Sequence, residues 1–263
     1  MDPLVESIIL NAKEEFAKFN SKDASSKIVQ YLASKGVATA VLIPTSDNSV
    51  VIGAKAADKK VDGEAVAQYK DGTLYIGQFQ KGQRHGFGAR SFNGASLCYV
   101  GDYSNNEKNG NGRLYDFRTQ KFVFNGKWAR DKKNGPGEVN KEDGTFVGNY
   151  IDDRMEGPGK MTWINGDSYD GNFANDLKNG QGSLRLANGD SYQGQFKDGK
   201  MDGEGTYTWA NGEHYVGQFK NGVMGGTGKV NYGNNLFAHG TWDASNRVIQ
   251  YGLDNNNSNT ARN

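Results

Sequence analysis

The sequence predicts a mostly-β protein: an elongated, single-layer antiparallel β-sheet solenoid of consecutive β-hairpins, with a short N-terminal helical cap. Three observations predict this fold. A phrase of the form aromatic-x-Gly-x-aromatic recurs every 22–25 residues. The second Gly of a G-x-G follows each start after 13 residues, always in phase. Asn-Gly or Asp-Gly closes most units, and both dipeptides are strong signals for tight hairpin turns.

The repeat defines the largest part of the chain. Its seven full copies start at Tyr75, Tyr99, Phe124, Phe146, Tyr169, Tyr192 and Tyr215. The phased glycines are Gly88, Gly112, Gly137, Gly159, Gly182, Gly205 and Gly228. A half-repeat from Gly63 to Gly72 precedes the first copy, and a degenerate one that keeps Gly240 and Trp242 follows the last. We therefore predict a repeat array over residues 61–245, with atypical terminal units.

Each copy indicates two short antiparallel strands. Alternate residues of a strand share a face, so Tyr192, Gly194 and Phe196 point the same way. After a short turn, the return strand places Gly205, Tyr207 and Trp209 on one face. Because the glycines have no side chain, neighbouring rings can lie over their backbone. The expected packing is therefore ring on backbone and ring on ring between adjacent hairpins.

The two ends differ from the array. Residues 1–60 predict a cap or docking segment, with helices at 2–20 and 25–35 and strands at 37–43 and 50–53. One interpretation is that these elements cover the first sheet edge, and the other is that they dock on a partner or a second copy. Residues 246–263 are rich in Asn and poor in apolar side chains, which predicts a disordered tail.

Composition excludes several classes of protein. With 31 basic and 30 acidic residues the net charge is +1, so nucleic acid is not an expected partner. Cys98 is the only cysteine, which fits a reducing compartment. The N-terminus lacks the pattern of a secretory signal, and no apolar run approaches the roughly 20 residues that span a bilayer. We therefore expect a cytoplasmic protein.

No pattern indicates catalysis or a bound cofactor. The histidines His85, His214 and His239 lack the carboxylate or cysteine spacing of a metal site. The G-x-G pairs are not followed by a strand–helix unit or by the lysine of a phosphate-binding loop. Cys98 has no evident base nearby in the pattern. We therefore predict no enzyme activity, no metal and no cofactor.

The aromatic residues form the candidate partner-binding site. A single-layer sheet leaves one face partly open, and a trough of rings there would be a protein-binding surface. The alternative is that the rings are consumed in packing on each other and on the glycines. The candidate residues are Trp163, Tyr169, Phe173, Tyr192, Phe196, Trp209, Tyr215 and Phe219. A helix or an extended segment of another protein could lie along them.

The pattern Y-x-G-x-[FYW], a turn, G-x-G and a closing Asn-Gly or Asp-Gly resembles the MORN repeat over about residues 63–242. The resemblance implies the elongated, single-layer sheet described above. It further implies a scaffold subunit of a larger hetero-complex, associated with the cytoskeleton or a cilium, for which a homodimer is an alternative. A second alternative is an adaptor for acidic phospholipids, for which the basic cluster Lys127, Arg130, Lys132 and Lys133 argues. A third is a regulatory module that acts in trans on an enzyme.

Overall fold

The computed structural model describes residues 30, 32–34, 41–44, 50–55, 60–92, 97–233, 236–243 and 248–255. The chain divides into two compact units, Met1–Asn140 and Lys141–Asn263, with the division inside the predicted array. The described part of each unit is dominated by antiparallel strands, which confirms the predicted fold class of consecutive hairpins. Of the predicted helical cap, residues 30 and 32–34 are helical, and the helix at 2–20 lies outside the described residues.

Unit 1 is a run of hairpins in which each described strand pairs with the next one along the chain. The predicted strands at 37–43 and 50–53 are present with shifted bounds, as β1 and β2. The strands are β1 (Val41–Pro44), β2 (Val50–Lys55), β3 (Val61–Gln68), β4 (Leu74–Gln80), β5 (Gln83–Ser91), β6 (Leu97–Ser104), β7 (Glu107–Asp116), β8 (Lys121–Ala129) and β9 (Lys132–Lys141).

Unit 2 repeats the same arrangement, again with sequential antiparallel pairing. Its strands are β10 (Gly144–Ile151), β11 (Arg154–Trp163), β12 (Ser168–Ala174), β13 (Leu177–Arg185), β14 (Ser191–Lys197), β15 (Lys200–Thr208), β16 (His214–Lys220), β17 (Val223–Asn231), β18 (Leu236–Trp242) and β19 (Val248–Asn255).

Strand β19 corrects the prediction of a disordered tail over 246–263. Residues 248–255 pair with β18, from Leu236 opposite Asn255 to Trp242 opposite Val248. The pairing supplies hydrogen-bond partners to a strand that would otherwise present an open edge. Residues 256–263 lie outside the described part of the chain.

The first and second rings of the aromatic-x-Gly-x-aromatic phrase lie on the same face of the strands in each unit, which we call the ring face, and the opposite side is the outer face. The first ring of each copy sits over the paired glycines. A Cβ atom built on Gly205 would lie 2.5 Å from Cζ of Tyr192, and one on Gly194 would lie 2.5 Å from Oη of the same ring. The ring therefore occupies the volume that side chains at both positions would need. This confirms the predicted packing of rings on glycine backbone.

The rings also contact each other across hairpin boundaries. In unit 2, edge-to-face pairs connect Tyr169 to Phe196 at 5.0 Å and Tyr192 to Phe219 at 4.8 Å between ring centroids. Within a hairpin, Tyr192 meets Phe196 at 5.1 Å. Unit 1 contains the same ladder, for example Tyr99 against Trp128 at 5.3 Å. Each edge-to-face pair contributes about 0.5–1.5 kcal/mol beyond area burial, so adjacent hairpins stabilise each other.

A β-bulge in the second strand of each hairpin gives the tyrosines of the first strand a polar role. Between the pairs Gly194–Gly205 and Phe196–Met201, β14 has one residue, Gln195, whereas β15 has three, residues 202–204, so the extra residues lie in β15. The hydroxyl of Tyr192 donates to the carbonyl oxygen of Gln195 at 2.9 Å. The Gln195 side-chain oxygen in turn accepts the backbone N–H of Glu204 at 3.0 Å. The carbonyl and side-chain oxygens of Gln195, which faces the bulge, are therefore paired with the Tyr192 ring and with the bulged strand.

Hydrogen bonds join the turn of each hairpin to the second strand of the preceding hairpin. Asn175 and Asp176 hold positive φ values of 49° and 68°, which a two-residue hairpin turn of this kind requires. The Asp176 N–H donates to the carbonyl oxygen of Met155 at 3.2 Å, and its side chain accepts the Met155 N–H at 2.8 Å. Gly222 binds the Met201 carbonyl oxygen in the same way, at 2.8 Å.

The two units differ on the outer face. In unit 1 the outer face of β3 to β6 carries buried apolar side chains, among them Val66 (0% exposed), Val100 (3%) and Cys98 (0%). Leu32, within the helical residues 32–34, is also buried. In unit 2 the outer face carries exposed side chains such as Asp170, Gln193 and Val216. In unit 2, therefore, the apolar side chains are concentrated on the ring face, whereas unit 1 buries apolar side chains on its outer face as well.

Candidate partner-binding surface

Six of the eight predicted site residues are buried rings. Relative exposure is 0% for Tyr169, 5% for Phe173, 1% for Tyr192, 3% for Phe196, 0% for Tyr215 and 3% for Phe219. These rings are used in packing on glycines and on one another, so they do not present an apolar surface to a partner. Trp163 and Trp209 are half-buried and keep accessible area. Their role in binding a partner stays a prediction.

The accessible apolar side chains of the ring face lie along one side of unit 2. Each lies at or just beyond the end of the second strand of a hairpin, two residues after the last ring-face residue that pairs with a first ring. We call this set the rim row. Its members are Trp163, Leu186, Trp209 and Tyr232. Tyr232 is 45% exposed, and the others are half-buried. Because consecutive members are two strands apart, they repeat about every 9.6 Å along the sheet.

Loops of the form Asn-Gly-Asp or Asn-Gly-Glu hold the rim row in place. The Trp163 N–H donates to the carbonyl oxygen of Asp167 at 2.9 Å, and the Trp209 N–H donates to that of Glu213 at 2.9 Å. Side chains connect successive loops, since an Asp167 oxygen accepts the N–H of Ala187 at 2.8 Å. The rim residues are therefore positioned by backbone bonds before any partner arrives, which lowers the entropic cost of binding.

The repeat geometry coincides with a known sequence family. The family model of the MORN repeat matches residues 75–94, 99–116, 124–145, 146–168, 169–191, 192–214 and 215–236, more than half of the chain. The chain belongs to the MORN repeat family. The seven matched segments begin at the seven aromatic starts identified in the sequence, so the predicted resemblance is confirmed. The MORN repeat is a non-enzymatic structural repeat.

Comparisons beyond the MORN model are less informative. No curated protein matches the chain. Among solved structures, the crystal structure of BamB from Moraxella catarrhalis is 12% identical, with a TM-score of 0.18, over 82% of this chain and 85% of that chain. A likeness of this size supports no argument about fold or function.

The Asn-Gly-Asp loops of unit 2 contain carboxylates that hydrogen bonds stabilise in the charged form. The Tyr207 hydroxyl donates to the Asp190 carboxylate at 2.6 Å, and the Ala210 N–H donates to it at 2.9 Å. These two hydrogen bonds hold the pKa of Asp190 below its usual value. The N–H of Ala187 is the main cause of a lowered pKa at Asp167.

We expect Asp190→Asn to destabilise unit 2 at pH 7 and to have little effect in acid. The folded-state pKa lies below the unfolded value of about 3.9, so the carboxylate contributes stability above that value. The contribution is lost as the pH falls through the folded pKa. Urea unfolding midpoints of wild type and variant should therefore converge as the pH falls from about 5 towards 2. Asp170→Asn controls for loss of one exposed charge, and an unchanged gap at low pH would contradict the assignment.

Lys178 is a polar feature of the ring face that the sequence analysis missed. Its Nζ atom lies 5.6 Å from the ring centroids of Trp163 and Tyr169 and 5.5 Å from that of Phe196. Burial lowers the pKa of Lys178, and the nearby Asp167 carboxylate offsets part of this effect. The signal was present in the sequence, because the lysine occupies a fixed position nine residues after the first ring of its copy.

Other parts of the described structure offer less. A shallow depression of about 540 Å³ on the outer face of unit 2 is lined by Lys160, Asp170, Ser183, Arg185 and other polar residues of both charge signs. Within the described residues, no group of three or more His, Cys, Asp or Glu side chains could hold a metal ion. No helix in that part of the chain combines the length and apolarity needed to cross a membrane.

Proposed function

We propose that this MORN-repeat chain is a non-catalytic scaffold that binds other proteins within a larger cytoskeletal or ciliary assembly. The observation that carries the proposal is the rim row of unit 2. Trp163 and Trp209 keep accessible area on a face where the first and second rings of each copy are buried. Accessible tryptophans on a rigid support are typical of the residues that dominate binding energy at protein interfaces.

The chemistry of the rim row favours a protein partner. A row of indole, phenol and aliphatic side chains would bury apolar area without needing charge, and adjacent loop carboxylates such as Asp167 and Asp190 form a polar edge. The period of about 9.6 Å suits an amphipathic helix, in which residues seven apart are separated by about 10.5 Å. An extended polyproline-II segment, which advances about 9.3 Å in each three-residue turn, would present every third side chain at a similar spacing. The cytoskeletal or ciliary setting is supported by resemblance to MORN proteins alone.

The test is capture of partners from a native extract by the full chain and by two paired variants. Trp163→Ala with Trp209→Ala removes the two accessible indoles of the ring face. Val147→Ala with Val216→Ala is the matched control, because both valines are exposed on the outer face, at 52% and 48%. We expect at least a tenfold loss of captured partner for the tryptophan pair and no comparable loss for the valine pair.

Mass spectrometry identifies the captured proteins, and circular dichroism checks that both variants keep the β-sheet signal. Full retention of partners by a folded tryptophan pair would reject the rim row as the binding surface. Recovery of the wild-type protein alone, without partners, would reject the scaffold itself.

An adaptor for acidic phospholipids is the second candidate, and one observation favours it. The side chains of Lys127, Arg130 and Lys132 are all exposed in unit 1, around one hairpin turn. Each basic residue near an anionic membrane contributes only about 1 kcal/mol, and the net charge of the chain is +1. Flotation with vesicles that contain or lack an anionic lipid decides this candidate, and binding that does not depend on salt would remove it.

A further inference from the structure

One position of the repeat is basic in three consecutive hairpins of unit 1. Arg84, Lys108 and Lys133 each lie nine residues after the first ring of their copy. Each is paired with the second ring of the same hairpin: Arg84 opposite Phe79, Lys108 opposite Tyr103 and Lys133 opposite Trp128. The three side chains therefore belong to the ring face, and we call them the basic row.

Each cation of the basic row lies on aromatic rings. The Arg84 Cζ atom is 5.5 Å from the Tyr103 ring centroid. The Nζ atom of Lys108 is 4.0 Å from the centroid of Trp128, and that of Lys133 is 5.5 Å from the centroid of Phe124. These cation–π contacts fix the stems of the side chains, and all three residues are half-buried. The charges are therefore recessed and preorganised.

The fold does not require a cation at this position. The equivalent residues of unit 2 are Met155, Lys178, Met201 and Met224, which face the second rings in the same register for Tyr150, Phe173, Phe196 and Phe219. A methionine side chain therefore fills the position in three hairpins of the same repeat. The basic row needs an explanation other than packing.

The ring face around Arg84 is also short of acceptors. Its Nη2 donates to the backbone carbonyl oxygen of Asn106 at 2.7 Å, but its Nε atom is buried without a hydrogen-bond partner. The Nε atom of Arg90 and the hydroxyl of Tyr103, a residue only 4% exposed, are likewise buried and unpaired. Among the described residues, neither Arg84 nor Arg90 has a carboxylate within ion-pair distance. Asp71 interacts with Arg90 only at longer range.

We propose that the basic row binds carboxylates of an acidic polypeptide segment that crosses the hairpins of unit 1. The inference rests on the proposed function, since it specifies the chemistry of one partner segment. Successive cations are two strands apart, about 9.6 Å. An extended polyproline-II chain has three residues per turn and advances about 9.3 Å, so acidic side chains at every third residue meet successive cations. Self-repulsion favours such extended conformations in acidic segments.

The recessed position favours a polypeptide over a membrane surface. A flat bilayer is reached by projecting cations such as Lys127, Arg130 and Lys132, which are exposed. The basic row is half-buried between rings, where a narrow chain with projecting carboxylates can approach it. Asp131, in the turn between β8 and β9, accepts the backbone N–H of Lys108 at 2.9 Å.

The experiment measures binding of a fluorescein-labelled synthetic peptide with glutamate at every third residue and Gly or Ser between them. The comparison peptide has the same composition, with its glutamates contiguous. The test variant is Arg84→Met with Lys108→Met and Lys133→Met, which copies the residue found in unit 2. The control variant, Lys127→Gln with Arg130→Asn and Lys132→Gln, removes the same charge from exposed positions.

Fluorescence anisotropy at low ionic strength should show the spaced peptide binding the full wild-type chain more tightly than the contiguous one. The methionine variant should weaken it by about tenfold or more, because charge-assisted hydrogen bonds are lost. The control variant should change it by about twofold or less. If circular dichroism shows that the triple variant does not fold, Lys108→Met alone tests the same proposal, and we expect it to weaken peptide binding by a few fold.

Each contrary result overturns the proposal. No binding of the spaced peptide by wild type, or equal binding by the methionine variants, removes the polypeptide ligand. Anionic vesicles held through the basic row without peptide binding would assign the row to a membrane instead. Trp163→Ala with Trp209→Ala should leave peptide binding unchanged, so a failure of the rim row and a failure of the basic row are distinguishable.

Discussion

Replacing Gly228 by Ala should destabilise unit 2 by about 3 kcal/mol or more, whereas the same change at Gly225 should cost about 1 kcal/mol or less. A Cβ atom at Gly228 would overlap the Tyr215 ring at Cε2, Cζ and Oη. That ring is fully buried, and its neighbours Phe219 and Trp242 lie 5.2 and 5.0 Å away between centroids. It has no room to move aside, so the strain extends along the ladder.

Gly225 is the matched control because it lies in the same strand, three residues earlier. A Cβ atom there would meet the Cβ of Lys220 at 3.4 Å, a tight but ordinary contact with an exposed residue. Neither glycine has the positive φ that would strain an alanine. The two substitutions therefore share their effect on the unfolded chain, which would by itself favour alanine by a few tenths of a kcal/mol.

Urea unfolding, followed by tryptophan fluorescence, measures the free energy of unfolding of both variants. Hydrogen exchange of β16 and β17 shows where in unit 2 the stability is lost. A double-mutant cycle with Tyr215→Ala isolates the ring–glycine contact, since Gly228→Ala should cost much less once the ring is removed. Equal stability of the two alanine variants would show that the ring does not lie on the Gly228 backbone.

The architecture could be predicted from the sequence because the residues that each hairpin needs recur at constant spacing. Glycines at 194 and 205 accept the Tyr192 ring, the aromatic alternation marks the first strand, and Asn-Gly closes the unit. The bulge in β15 opposite Gln195 was not predicted, because it depends on hydrogen bonds that Gln195 makes with the Tyr192 hydroxyl and with the backbone of Glu204. Strand β19 was missed for a similar reason. Its place depends on pairing with β18 rather than on its own composition.

The candidate site was predictable only in part. Alternation correctly placed Tyr192, Phe196 and Trp209 on one face, but alternation does not report how far each ring is covered by the next hairpin. Phe196 is enclosed between Tyr169 and Tyr192, while Trp209 lies just beyond the end of β15, where ladder contacts stop. The basic row was available in the sequence at a constant offset. Its significance required knowing that the same offset faces the second ring.

Phe196→Ala should destabilise unit 2 by about 3–5 kcal/mol. Phe196 is 3% exposed and makes edge-to-face pairs with Tyr169 at 5.0 Å and Tyr192 at 5.1 Å. One of these pairs crosses a hairpin boundary, so the substitution removes coupling between neighbouring hairpins as well as buried area. In a repeat array, stability is the sum of such nearest-neighbour contributions.

The expected signature of Phe196→Ala is therefore a broadened or split unfolding transition as well as a lower midpoint, measured by urea unfolding and by hydrogen exchange of β13 to β16. Phe87→Ala removes the same side chain from a site that is 44% exposed, and should cost about 1 kcal/mol or less.

Partner capture then separates an effect on stability from an effect on partner binding. Trp209→Ala should lose the partner while the sheet stays folded, and Phe196→Ala should lose both together. A folded Phe196→Ala chain with a normal midpoint and no partner would mean that this ring contacts the partner directly and that the ladder is not what holds the hairpins together.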